Sequence, residues 1–120
     1  MESKEFKGII SILKNQVFLT QASPYGNVAK EHGEQEHQIG ETDAFLSFSI
    51  DCYAEMTYSS DEEEQGLNTG YYLHHNHKVQ INFIHGINVW LDGEIQQTLT
   101  ESQQSIIENI IIKNIKLTIE

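Results

Sequence analysis

The chain reads as an α+β protein: a mainly antiparallel β-sheet with a long β-hairpin over residues 44–58 and 71–85 and one helix over about residues 101–113. Three observations predict this class. From 44 to 58 every second position is apolar or nearly so: Ala44, Leu46, Phe48, Ile50, Cys52, Ala54, Met56 and Tyr58. That period of two marks a strand with one buried face. Residues 71–85 follow with their apolar weight on the odd positions Leu73, Val79, Ile81 and Phe83. Further on, Ile106, Ile107, Ile110 and Ile111 recur at helical spacing, behind Thr100 and Gln103, which match a capping box.

Residues 6–21 carry two competing patterns. Phe6, Ile9, Ile10, Leu13 and Val17 sit at helical spacing. Residues 9–13 and 17–21 are also β-rich runs around Lys14-Asn15-Gln16, and Asn tolerates a left-handed turn. Gly8 disfavours a helix, so the reading is a hairpin. Ser23-Pro24-Tyr25-Gly26-Asn27 is a turn. Residues 29–43 are polar and acidic without visible periodicity and read as a loop, with His32 and His37 solvated in it. A loop of that length is usually functional or mobile.

The strand 44–58 and its return 71–85 flank a loop at 59–70. If Tyr58 pairs with Tyr71, Met56 meets Leu73, Ala54 meets His75 and Cys52 meets His77, so that both apolar faces coincide. His85-Gly86 reads as a turn or bulge, 87–91 as another strand, Asp92-Gly93 as a hairpin turn, and 94–99 as the strand after it. In the helix, Glu101 suits the positive end of the dipole, Lys113 suits the last turn, and Asn114 could cap it. Ile115, Leu117 and Ile119 then alternate as a short final strand.

Fifteen strand residues at about 3.3 Å each would span roughly 50 Å. A compact chain of this length has a radius of gyration near 14 Å and a diameter of about 35 Å. The ribbon must therefore bulge, coil, or project and find a second surface, either a partner or another copy in a homodimer.

At 120 residues the expectation is one domain over residues 1–120. Cys52 is the only cysteine, so no internal disulfide forms. The polar N-terminus and the lack of a long apolar run point to a cytoplasmic protein without a membrane segment. Seven lysines face 18 acids, for a net charge of −11, and there is no arginine. Phosphate neutralisation needs a basic surface, so direct nucleic-acid binding is not expected; a protein partner with a basic surface is.

Two constellations carry candidate chemistry. His75 and His77 at i and i+2 of a strand, with Cys52 opposite, could chelate zinc or copper. The same trio could also be a thiolate with a histidine base. The plainer reading is cross-strand packing of a small residue against imidazoles, with no cofactor. The contiguous acids Asp61, Glu62, Glu63 and Glu64 would sit at the ribbon tip, as a solvated turn or as a docking tip for a basic groove. Their spacing does not suit a calcium loop. No phosphate-binding glycine loop, dinucleotide fingerprint or nucleophile elbow is present, so an enzyme is not expected. The chain suits a small acidic protein-binding module of accessory or inhibitor type, as is common in phages and mobile elements. The alternatives are a metal-binding protein and a self-assembling structural subunit.

Overall fold

A computed structural model describes residues 1–58, 70–74 and 77–119. The elements in order are α1 (Ser3–Leu13), β1 (Phe18–Tyr25), β2 (Val28–Gln38), β3 (Phe45–Glu55), β4 (Thr57–Tyr58), β5 (Tyr71–Tyr72), β6 (Gln80–Leu91), β7 (Ile95–Gln96), α2 (Glu101–Asn114) and β8 (Ile115–Ile119). The class is α+β as expected, with a second helix at the N-terminus. One six-stranded sheet has the order β7-β6-β3-β2-β1-β8, and β4-β5 form a separate two-stranded ribbon. All neighbours are antiparallel except β1 and β8, which run parallel from Phe18↔Ile115 to Ala22↔Ile119.

The hairpin expected over 6–21 is instead a helix followed by a strand. Phe6, Ile9, Ile10 and Leu13 are all buried along one face of α1, so the 3.6-residue period outweighs local β propensity. Gly8 carries the usual entropic cost of a helical glycine, which the buried apolar face outweighs; a Cβ there would meet nothing within 4 Å. Pro24 lies within β1 rather than in the turn, paired with Ala29. Among the described residues β8 pairs with β1 only as far as Ala22, so the missing Pro24 N–H interrupts no described ladder bond. The turn itself is the tight pair Gly26-Asn27 between Tyr25 and its partner Val28.

The loop expected over 29–43 is mostly the strand β2, paired with β3 over eleven residues from Val28↔Glu55 to Gln38↔Phe45. Its side toward the helices carries Ala29, Glu31, Gly33, Gln35 and His37, opposite the buried Ala54, Cys52, Ile50, Phe48 and Leu46 of β3. Small and polar residues in the inward positions erase the apolar alternation by which strands are recognised.

The predicted strand 71–85 is not continuous: the short β5 ends at Tyr72, the described residues 73–74 and 77–79 belong to no strand, and β6 begins at Gln80. Tyr58 does oppose Tyr71 and Thr57 opposes Tyr72, but the register does not carry on from there. The β3 strand ends at Glu55, where the Met56 N–H turns to the Asn27 carbonyl at 2.7 Å. When β6 meets β3, Cys52 pairs with Ile81, not His77. β6 also holds two bulges. Asn82 is extra between Ile81 and Phe83, and Gly86-Ile87 together oppose Phe48. Gly86 has φ +65°, the left-handed geometry a glycine bulge requires. These bulges curl the long strand, as its length demanded, and they blunt the free edge of β6. The molecule is nonetheless elongated, 53 × 26 × 22 Å with a radius of gyration of 16.2 Å.

Asp92 and Gly93 both take positive φ, and the Glu94 N–H closes the turn on the Leu91 carbonyl at 3.2 Å. The strand after it is only Ile95–Gln96. The Thr100–Gln103 capping box forms in both directions at 3.1 Å. Asn114 does not cap its own helix: its Nδ2 donates to the Leu13 and Lys14 carbonyls at 3.1 and 3.2 Å, closing the end of α1.

Both helices pack on one face of the sheet. The core joins Ile9, Ile10 and Leu13 of α1 and Ile107, Ile110 and Ile111 of α2 to Phe18, Leu46, Phe48, Ile50 and Val89 of the strands. Leu73, Val79 and Ile81 pack against the same core, Ile81 opposite the small Cys52. The opposite face of the sheet has no helix over it among the described residues.

Candidate docking face

Cys52 is buried on the helix side of β3, between Glu31 of β2 and Ile81 of β6. Burial, and then the carboxylates of Glu31 and Asp51, push its thiol up to about 11. The thiolate is therefore scarce at neutral pH, the opposite of what a nucleophile needs. His77 has both ring nitrogens engaged. Nδ1 lies 2.7 Å from the His74 carbonyl, and Nε2 accepts the Leu117 N–H at 3.3 Å. These bonds fix the Nδ1–H tautomer and pin the segment before β6 to the edge strand β8. His75 and the acids Asp61, Glu62, Glu63 and Glu64 lie outside the described residues. Among the described residues no three His, Cys, Asp or Glu side chains converge as a metal site. No described helix is long and apolar enough to cross a membrane.

His32 and His37, expected together in a solvated loop, point to opposite sides of β2. His37 lies on the helix side between Phe18 and Phe48. Its Nε2 is 3.0 Å from Gln35 Oε1, which also accepts from the buried Thr20 hydroxyl at 2.9 Å. Burial lowers the pKa of His37.

His32 belongs to the uncovered face. On that face β2 presents Lys30, His32, Glu34, Glu36 and Gln38, and β3 presents the partners Tyr53, Asp51, Ser49, Ser47 and Phe45. From β6, Phe83 stands opposite Asp51, His85 opposite Ser49, and Trp90 opposite Phe45. These side chains interlock. His32 Nδ1 is 3.6 Å from Asp51 Oδ1, and Asn82 Nδ2 donates to Asp51 Oδ2 at 3.1 Å. The Phe83 ring meets His32 edge-on at 5.8 Å and stacks with His85 at 5.2 Å. The Trp90 indole N–H donates to Ser47 Oγ at 3.1 Å, fastening the ring over a buried hydroxyl.

Phe83 is 40 % exposed on this face, with the Asp51 carboxylate at the opposed position of β3. Asp51 is fixed beside it, while Glu34 and Glu36 are exposed along β2. Lys30 lies on the same face with Nζ 5.8 Å from the Tyr25 ring. An exposed aromatic held by neighbours beside a fixed carboxylate offers area, cation–π capacity and charge to an incoming basic side chain. The sequence does not disclose this face because it is assembled from three strands, one of which, β2, lacks the apolar alternation that marks a strand. The one signal within reach was Phe83 beside His85 on an odd-numbered strand face. Comparison with family models, with curated proteins and with solved structures finds no match to this chain.

Proposed function

We propose that this protein is an acidic binding module that docks its uncovered sheet face onto a basic surface of a partner protein, as an accessory or inhibitor protein would. The observation that carries the reading is Phe83, exposed and in contact with His32 and His85, with Asp51 opposite it and Glu34 and Glu36 further along the same face on β2. A partner lysine or arginine laid over Phe83 would gain the ring face and a carboxylate together. Unlike the buried rings of the helix-side core, Phe83 on this face is exposed to solvent. The contiguous acids Asp61, Glu62, Glu63 and Glu64 add charge of the same sign, so they belong to the same proposal.

The test places a photo-crosslinking residue at Phe83 and, as a control, at exposed Ile112 on α2. Crosslinks formed in the native cell identify the partner, whose affinity is then measured. A basic partner captured from position 83 but not from position 112 is the expected result. Phe83→Ala should weaken the purified complex by about 2 kcal/mol, roughly 30-fold. Glu34→Gln with Glu36→Gln should slow association and flatten its salt dependence. Capture only from position 112, or an affinity indifferent to all three residues, would overturn the reading.

A further inference from the structure

We propose that the groove between α1 and α2 binds an acidic amphipathic helix of a partner protein. This surface lies on the helical side of the sheet and does not depend on the docking face.

The groove exists because the two helices are tied at their ends. Gln103 Nε2, at the start of α2, donates to the Met1 carbonyl at 2.8 Å, and Asn114, at its end, holds the Leu13 and Lys14 carbonyls. The helices therefore run in the same direction. Between α1 and the first turns of α2 opens a groove of about 680 Å³. Its floor is Phe6 and Ile10, and Ile106 stands on its far wall, 40 % exposed. Ile106 belongs by sequence to the isoleucine stripe of α2, yet the sheet uses only Ile107, Ile110 and Ile111.

Charge specifies the occupant. Lys7 and Lys14 line the groove, and no acid does, in a chain with 18 acids and seven lysines. Seven residues apart, the two ammonium groups occupy one side of α1 about 10 Å apart along the axis. The groove on the other side of α1 is a built-in contrast: it holds Glu5, Asp43 and Asp92 and no lysine. So α1 divides a basic groove from an acidic one, and the basic one suits an acidic ligand.

Shape favours a helix over a small amphiphile. Sites for small molecules enclose most of their ligand, whereas this groove is only partly enclosed. Its α1 wall runs from Ser3 to Lys14, about 16 Å, the length of some three helical turns. A helix lying there would set apolar anchors at i, i+3 and i+4 against Phe6, Ile10 and Ile106, with carboxylates toward Lys7 and Lys14.

The test titrates three probes into the full chain, followed by calorimetry and by amide shifts in NMR. They are a panel of acidic amphipathic peptides of about four turns, the same panel with lysine in place of glutamate, and dodecanoate. The acidic panel should bind at least tenfold tighter than the lysine panel, with shifts gathered at Phe6, Lys7, Ile10, Lys14 and Ile106. Lys7→Glu with Lys14→Glu should cut that binding at least tenfold. Lys7→Gln with Lys14→Gln should give a smaller loss. Both lysines are exposed, and thermal melts verify that the variants fold. The proposal is overturned if no acidic peptide binds, if the lysine panel binds equally, or if dodecanoate binds and the peptides do not. It is also overturned if charge reversal changes nothing, or if the shifts fall at Phe83 instead.

Discussion

His37 stacks on Phe48 with ring centroids 5.6 Å apart and planes 12° from parallel, while Phe18 closes its edge at 5.3 Å. An imidazole in that slot is held neutral by burial, and its pKa is lowered. The unfolded chain, with an ordinary histidine near pH 6.5, therefore takes up the proton first as pH falls. The His37 contribution to stability is complete above about pH 6.5. It declines below that value and levels off once the folded histidine is protonated too. Urea midpoints between pH 8 and pH 5 should show this slope. His37→Leu keeps the packing and leaves Gln35 its bond from Thr20, so it should flatten the slope while changing stability at pH 8 only modestly. An unchanged slope in the variant would place the acid sensitivity elsewhere.

Cys52 offers a second check on burial. With its thiol pushed up to about 11, it should react with a thiol reagent only as fast as the region opens. Labelling should therefore accelerate in parallel with added denaturant. Cys52→Ala removes one buried sulfur and should cost about 1 kcal/mol. Cys52→Ser puts a hydroxyl beside Ile81 and should cost about 1–3 kcal/mol. Fast labelling of the native protein, or a serine variant more stable than the alanine one, would contradict this account of the site.

What the sequence disclosed follows from where the apolar residues lie. β3 was legible because its inward row, from Leu46 to Ala54, is apolar at every position but its partners are not needed to see it. The C-terminal helix was legible because Thr100 and Gln103 mark its start and three isoleucines mark its buried face. β2 was hidden because its inward positions are Glu31, Gly33, Gln35 and His37, whose polar groups are met by Thr20, by one another, or by half-exposure. The order of the sheet was lost with it, since β2 separates β1 from β3. α1 was misread because Ile9, Ile10 and Ile12 satisfy both a helix and a strand locally, and only packing on the sheet decides between them. The proposed docking face needed His32, Asp51 and Phe83 on adjacent strands, a register that bulges at Asn82 and Gly86 shifted away from any simple count.

Gly70 tests the ribbon. It has φ +81°, and a Cβ there would lie 2.7 Å from Cε2 of Tyr58, whose ring meets Tyr71 at 5.3 Å. Gly70→Ala should therefore destabilise the β4–β5 pair by about 1–3 kcal/mol, through both the left-handed backbone and the clash. The measurement is amide exchange at Thr57, Tyr58, Tyr71 and Tyr72, which should quicken while exchange in β3 barely moves. Combining it with Tyr58→Ala should recover part of the steric loss but not the backbone part. Equal protection in wild type and Gly70→Ala would remove the Tyr58 contact as the reason for glycine.

The capping box ties helix stability to the N-terminal segment. Thr100→Ala removes the acceptor for the Gln103 N–H and should cost about 1 kcal/mol. Gln103→Ala removes the reciprocal bond to the Thr100 N–H and also the bond to the Met1 carbonyl. The two variants therefore differ in reach. Loss of Thr100 should raise amide exchange only in the first turn of α2. Loss of Gln103 should raise it there and in the first turn of α1 as well, because its side chain, together with the Met1 ammonium bond to the Thr98 carbonyl, joins the two helix starts. Were both variants to affect α2 alone, Gln103 would be an ordinary cap, and the tie at that end of the groove would lie in other contacts.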